Sequence, residues 1–235
     1  MPKTNDQYSQ TNSVREKLLQ NGYNEVMTYT FRKKGKVEVA HGSKGKEFLR
    51  TNLTDGIKES YELNRLNEPI LGLNEIKIFE IGTVFPQTGV EEIHVAIADK
   101  GGVKEFLLQD FDEKVLISSV KNETQEYISN FNLKHFVKNT SFSTWSHFPF
   151  IVRDIAIWIP DDTDPEILIK IFAEHGGELL ARPPRLFDKF SKDKMTSLAF
   201  RLVFQAQNRT LTDEEVHPIV DNINNALKNK GFTVR

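Results

Sequence analysis

Ser197-Leu198-Ala199-Phe200-Arg201-Leu202-Val203-Phe204-Gln205 alternates as a strand with two unlike faces does. Leu198, Phe200, Leu202 and Phe204 make an inward set, so Ser197, Ala199, Arg201 and Val203 look outward. Just upstream, the polar tetrad Ser191-Lys192-Asp193-Lys194 separates this run from a second alternating run at 179–190, which suits an antiparallel hairpin. Further back, residues 150–160 (FIVRDIAIWIP) are rich in β-branched side chains, with Ile155, Ile157 and Ile159 on one face of a strand. Between the two lies a helix: Asp164, Pro165 and Glu166 supply its start, Ile167, Leu168, Ile171 and Phe172 its apolar stripe, and Gly176-Gly177 its stop. Downstream, Thr212 with Glu215 three residues later is a capping box for a helix carrying Val216, Ile219, Val220, Ile223 and Leu227 and ending at Gly231. Pro218 removes a backbone donor and is expected to bend its first turns. A short strand at 232–234 closes the order βαββαβ, a split ferredoxin-like unit.

In such a unit both helices cover one face of the sheet, and the other face is available for binding. By the same parity Phe232 and Val234 point inward and Thr233 and Arg235 outward, while Asp188 and Phe190 share a face on the neighbouring strand. Parity leaves Trp158 unplaced, on the open face or under a loop. A carboxylate, an aromatic ring, a hydroxyl and guanidinium groups on one open sheet are what unpaired RNA requires: a base stacks on the ring, a base edge meets the carboxylate, and arginine meets phosphate. Charge agrees locally. Residues 182–209 hold seven Lys or Arg against two Asp or Glu, whereas the rest of 147–235 holds five against eleven, so the hairpin is the positive part. Arg201 is expected either to contact RNA or to pair across strands with Asp188. Arg209 reads as an RNA contact or as an anchor for the helix start.

The motifs FP…RDIA at 148–156, GGELL at 176–180, RLFD at 185–188, SLAFRL at 197–202 and RTLTDEEV at 209–216 together resemble the ferredoxin-like anticodon-binding domain of bacterial phenylalanyl-tRNA synthetase β subunits. The resemblance implies that Asp188, Ser197 and Arg235 lie near the first anticodon base. Members of the family often carry a tyrosine two residues after that aspartate. Phe190 stands there in this chain, keeping the stacking surface and losing the hydroxyl, and the hairpin turn is shorter than in many members.

The chain has 235 residues, enough for one or two domains, and 38% hydrophobic content is enough for ordinary buried cores. A formal charge of -2 gives no bulk attraction to nucleic acid, so any RNA binding has to come from a patch. There is no cysteine, which excludes disulfides, thiolate metal sites and cysteine nucleophiles and fits a reducing compartment. No membrane span or signal peptide is read, and a soluble, cytoplasmic protein is expected. Toward the N-terminus the pattern predicts a helix at 9–20, a strand at 25–31, a polar loop at 32–47, a helix at 55–66 and strands at 77–85 and 93–98. The least patterned part is 101–144, where strands near 115–120 and 136–137, a helix around 124–131 and a linker at 139–146 are expected.

GYNEVMTYTF at 22–31, FLRTNLTDGI at 48–57 and KIFEIGTVF at 77–85 resemble the class II synthetase-like core that the same β subunits carry upstream of the anticodon domain. The expected architecture is therefore α+β: an antiparallel class II synthetase-like core at 1–138 followed by a βαββαβ ferredoxin-like domain at 147–235. In catalytic class II synthetases the FEIGxVF run is followed by an arginine that clamps the ATP α-phosphate. Pro86 stands there, and no glycine-rich motif ending in arginine follows Gly102. Glu80 is accordingly read as a fold-supporting residue in a core without catalytic residues.

The resemblance implies a chain with no cofactor of its own, inside a complex that uses ATP and Mg²⁺. Its partners would be the phenylalanine-acceptor tRNA and a catalytic α subunit in an α2β2 assembly, with no membrane. The upstream modules of such subunits lie outside this sequence, which is either a fragment or a shortened relative. Asp188, Phe190, Ser197, Arg201 and Arg235 are the expected nucleic-acid contacts. Two other functions remain open at this point: a stand-alone ferredoxin-like RNA-binding or regulatory protein derived from that subunit, and an adenylate-forming enzyme built on the synthetase-like core. A phosphate-loop reading of 42–46 fails because the G-x-x-x-x-G-K-[ST] spacing is not met. Histidines 41, 94, 135, 147, 175 and 217 show no i,i+4 pairing or acidic clustering of a metal site.

Overall fold

Strand β10 (Met195–Phe204) sits inside a four-stranded antiparallel sheet, between β8 (Ile151–Pro160) and β9 (Arg185–Lys192), with β11 (Thr233–Val234) on the far side of β8. The computed structural model describes residues 6–73, 75–116, 123–135 and 144–235. Helices α4 (Glu166–His175) and α5 (Asp213–Asn229) complete the order β8-α4-β9-β10-α5-β11. With strand order β11-β8-β10-β9 this is the ferredoxin-like topology expected from the sequence.

Alternation builds its core. Ile155, Ile157 and Ile159 of β8, and Leu198, Phe200 and Leu202 of β10, pack with Leu168, Ile171 and Phe172 of α4 and with Val216, Ile223 and Leu227 of α5. Phe172 and Phe200 approach to 5.1 Å between ring centroids. The start of α5 is held by Glu215, which accepts from the Thr212 backbone N–H at 3.0 Å, as a capping box requires. The helix runs through Pro218 to Asn229. Helix α4 ends at His175, with Gly176 in tight contact and Gly177 at φ +65°, where a side chain would be strained. The expected strand at 179–190 begins only at Arg185; before it Leu180 makes an isolated bridge to Phe204.

Helix α3 (Glu123–His135), which the sequence reading counts with the domain ending at 138, packs Tyr127, Ile128 and Phe131 onto this same core. Asn132 donates to Leu186 O at 2.8 Å and accepts from Leu186 N at 3.0 Å, so its side-chain amide satisfies the outer edge of β9 as a neighbouring strand would. The chain divides into two compact units, one from residues 1–68 and 73–119, the other from 69–72 and 120–235. The family resemblance places the second module from 147; the packed unit also takes in α3.

The first unit is built on β1 (Asn24–Glu25), β5 (Ile78–Gln87), β6 (Val90–Asp99) and β7 (Gly102–Leu107), in the order β1-β5-β6-β7. The sheet is antiparallel, as expected, apart from the two-residue β1–β5 pair, which is parallel. Phe79, Val95 and Ile97 pack with Val14 and Leu18 of α1 (Asp6–Gln20), whereas Ile78, Ala96 and Ala98 pack with Leu53 and with Ile57 of α2 (Thr54–Leu71). Successive strand residues point to opposite faces, so α1 and α2 cover opposite sides. The expected strand at 25–31 is absent. Only its ends pair, in β1 and in β2 (Phe31–Arg32), which with β3 (Val37–Glu38) and β4 (Phe48–Leu49) forms a small second sheet. Met27 and Tyr29 between them are 95% and 78% exposed, and Thr28 is drawn in as a polar anchor instead. Strand β7 was not foreseen. Of the strand expected at 115–120, Val115 lies in a 3-10 turn, Glu113–Val115, and Leu116 caps it, while 117–120, together with the strand expected at 136–137 and most of the linker, fall outside the described residues.

Candidate nucleic-acid interface

Among the described residues, helices α3, α4 and α5 all send apolar side chains into one core on one side of the sheet, and the outward strand side chains lie on the other side. The register arranges that face in rows. In one row Thr233 faces Trp158, Trp158 faces Ser197, and Ser197 faces Phe190. In the next Ala156 faces Ala199 and Ala199 faces Asp188, while Arg235 N donates to Ala156 O at 2.9 Å and joins the row at the other edge. In the third Asp154 faces Arg201 and Arg201 faces Arg185. Two small residues thus occupy the middle of this row, with a carboxylate-bearing residue at one end and a guanidinium-bearing residue at the other.

The aromatic row is partly exposed. Phe190 is 55% exposed and meets Trp158 edge to face, with centroids 6.0 Å apart. Sequence parity left Trp158 open; Ile155, Ile157 and Ile159 turned inward fix it on the open face by the same alternation. Asp188 is exposed, and its Oδ1 accepts from the Lys189 N–H at 2.9 Å. A carboxylate has about four acceptor sites, so this bond leaves capacity for a base edge.

A β-bulge makes the arrangement possible. Ala199 pairs with Asp188 but Phe200 pairs with Leu186, so Phe187 is left over. Strict alternation would put Leu186 and Asp188 on one side. Instead Leu186 is fully buried, while Phe187 is 39% exposed beneath Arg201, whose guanidinium carbon lies 4.9 Å from the ring centroid. Sequence reading missed Phe187, because a bulge leaves no mark on composition.

Arg201 is outward as expected, but its ion-pair partner is Asp154 on β8, not Asp188 on β9. Its Nε and Nη2 donate to the two Asp154 oxygens at 2.9 and 2.7 Å, a planar fork that fixes the guanidinium. Val203, also expected on the open side, is 1% exposed, so the face is closed at that end. Arg209 donates twice to Glu215 Oε1, at 3.1 and 2.6 Å, which makes it the anchor of the α5 start. The face therefore brings together Asp188, Phe190, Ser197 and Arg201 on β9 and β10 with Arg235 after β11, and adds Trp158, Phe187 and Arg185 to them.

In the first unit the three motif segments converge on Glu80. Arg50 Nη1 donates to Glu80 Oε1 at 2.6 Å, Thr28 Oγ1 donates to Oε2 at 2.7 Å, and Arg50 Nε donates to Thr83 O at 2.8 Å. Glu80 and Arg50 are 2% and 6% exposed. Arg50, the Thr28 hydroxyl and the Thr28 N–H thus commit this buried acid to the fold, and Pro86 lies in the same strand with no basic group to offer a phosphate. His94 sits between Glu92 and Glu105, at 3.0 and 2.6 Å. Among the described residues no group of three or more His, Asp or Glu is gathered as a metal ion requires, and no helix is long and apolar enough to cross a membrane.

The family model described as the ferredoxin-fold anticodon binding domain matches residues 146–235, and that described as the phenylalanyl tRNA synthetase beta chain CLM domain matches residues 1–150. Among curated proteins, the phenylalanine–tRNA ligase beta subunit of Symbiobacterium thermophilum is 39% identical over 92 residues, 37% of this chain and 10% of that protein. Its counterpart in Staphylococcus saprophyticus is 36% identical over 92 residues, 37% of this chain and 11% of that protein. The subunit of Listeria innocua is 31% identical over 114 residues, 45% of this chain and 14% of that protein. The chain thus spans 10–14% of the length of these relatives in the aligned parts. Two family models that follow one another along the chain, one of them over more than half of it, agree with the topology and the motifs, and the chain belongs to the phenylalanyl-tRNA synthetase beta chain family.

Proposed function

We propose that this chain is a non-catalytic, tRNA-binding portion of a phenylalanyl-tRNA synthetase β subunit. Its open sheet reads the unpaired anticodon of a phenylalanine-acceptor tRNA in the cytoplasm. Its first unit docks on the catalytic α subunit, which joins phenylalanine to tRNA with ATP and Mg²⁺ in an α2β2 assembly. The observation that carries the reading is the row of Trp158, Ser197 and Phe190 beside Asp188 and Arg235, on the sheet face opposite the core into which the described helices of the unit pack. A base stacked on Phe190 brings its edge to Asp188 and Ser197, and Arg235 and Arg185 supply positive charge for the backbone. Docking is supported by exposed apolar side chains on the first unit, Leu63 and Leu66 on α2 and Met27 and Tyr29 between β1 and β2. Glu80 supports a silent core: a carboxylate bonded to Arg50 and Thr28 is not poised for adenylate chemistry.

The test is tRNA binding by the chain with and without the α subunit, using wild-type and anticodon-substituted tRNA. Preference for the phenylalanine anticodon and co-purification with α are expected. Equal affinity for all anticodons defeats the recognition reading. Anticodon-selective binding with no α association points to the stand-alone RNA-binding alternative. ATP–pyrophosphate exchange by the isolated chain would overturn the non-catalytic assignment.

A further inference from the structure

The open face carries two aromatic platforms. Trp158 and Phe190 flank Ser197; Phe187 lies under Arg201, four residues farther along β10. At about 3.4 Å per residue the two rows are some 14 Å apart along the strand, more than one base ring can bridge. We infer that Phe187 and Arg201 form a second base-stacking subsite, so that the face takes two neighbouring unpaired nucleotides rather than one. The inference rests on the proposed reading of this face as an RNA interface and adds a ligand position to it.

Three features build the subsite. The bulge turns Phe187 to the same side as Asp188, where regular pairing would have turned one of them inward. Asp154 holds Arg201 by two hydrogen bonds, so the guanidinium plane is set before any ligand arrives and little side-chain freedom is lost on binding. The ring beneath it, 4.9 Å from the guanidinium carbon, pairs a cation with an aromatic face, the kind of surface on which bases settle regardless of sequence. Ser197 lies directly opposite Phe190, so its hydroxyl adjoins that platform, whereas Phe187 is the residue left over at the bulge and has no partner across the ladder. The division of labour follows: the Phe190 position is the discriminating one, and the Phe187 position binds any base.

The experiment uses the full chain and an anticodon stem-loop RNA of a phenylalanine-acceptor tRNA, unmodified or carrying an abasic site at successive loop positions. Phe187→Ala should weaken binding of the unmodified loop roughly five- to 150-fold, and Phe187→Tyr should restore it. One abasic position should cancel the effect of Phe187→Ala, and a different one that of Phe190→Ala. If Phe187→Ala binds like the unaltered chain while Phe190→Ala does not, the second subsite is wrong and the RNA interface stands. If one abasic position cancels both effects, there is a single subsite. If the unaltered chain binds no loop, the interface itself falls, and the subsite with it.

Discussion

In the proposed reading of the open face, Asp188 is the residue on which base selection turns, and its outward position is a consequence of one surplus residue in the strand before it. With Phe187 taken up in the bulge, the acid points to the open face next to a fully buried leucine. Asp188→Ala is expected to reduce discrimination at the recognised base by roughly 1–3 kcal/mol, the range for a paired base-edge contact. Affinities for tRNA with each base at that position would show it, and an unchanged ratio would remove Asp188 from the readout. Glu80 is a different kind of acid. Its structural role was legible because Pro86 occupies the place of the phosphate-clamping arginine, but its partner Arg50, thirty positions earlier, was not, since pairing across that distance leaves no periodic trace. Removing one member of so buried a pair strands the other charge, so Glu80→Ala should destabilise the first unit by about 3–5 kcal/mol. The double replacement Arg50→Met with Glu80→Leu should cost less than either single change in a denaturant titration.

Among the elements, alternation made β8, β10 and both helices of the ferredoxin-like unit readable, because each has one face on a single core. The same rule failed for residues 25–31. Their composition favours a strand, yet among the described residues no strand pairs with the middle of the run, and Thr28 is bonded to Glu80. Strand β7 was missed because its six residues carry two charges, Lys104 and Glu105, in a stretch without a long apolar pattern. Glu105 earns its place structurally: it accepts from Leu53 N, Thr54 N and the Thr54 hydroxyl at the start of α2, and contacts His94. Burial pushes this carboxyl up, but those hydrogen bonds outweigh burial and hold it below its ordinary value of 4.5. A depressed folded value means that its stabilisation is complete above about pH 4.5 and drains away as pH falls through the lower folded value. Acid titration followed by hydrogen exchange should show Glu105→Gln flattening the pH dependence of α2 protection in that window. The β9–β10 turn offers a change in the opposite direction. Asp193 and Lys194 both have positive φ, at 52° and 61°, as a two-residue hairpin turn demands. Lys194→Gly should relieve about 1 kcal/mol of left-handed strain and raise the thermal midpoint of the second unit.

At the scale of the whole chain, the net charge of -2 sets the terms on which RNA can bind. Bulk attraction is absent, so the affinity has to come from local cations, and Arg185, Lys192, Lys194 and Arg235 lie on or beside the face that carries Asp188 and Phe190. Binding an unpaired strand releases counterions at about 0.7 per neutralised phosphate, so two to four such contacts give a slope of log K against log salt of about -1.4 to -2.8. A protein that binds through overall charge would lose affinity evenly with any lysine removed. Here Lys192→Ala or Arg185→Ala should each lower the slope magnitude by about 0.7 with the base preference intact, whereas removing Lys17 or Lys58 of the first unit should leave the slope alone. Phe190→Ala should do the reverse, weakening binding at every salt concentration without changing the slope, because stacking releases no counterions. A slope that responds to Lys58 as strongly as to Lys192 would mean that the interface extends onto the first unit, and that the sheet face is only part of what holds the RNA.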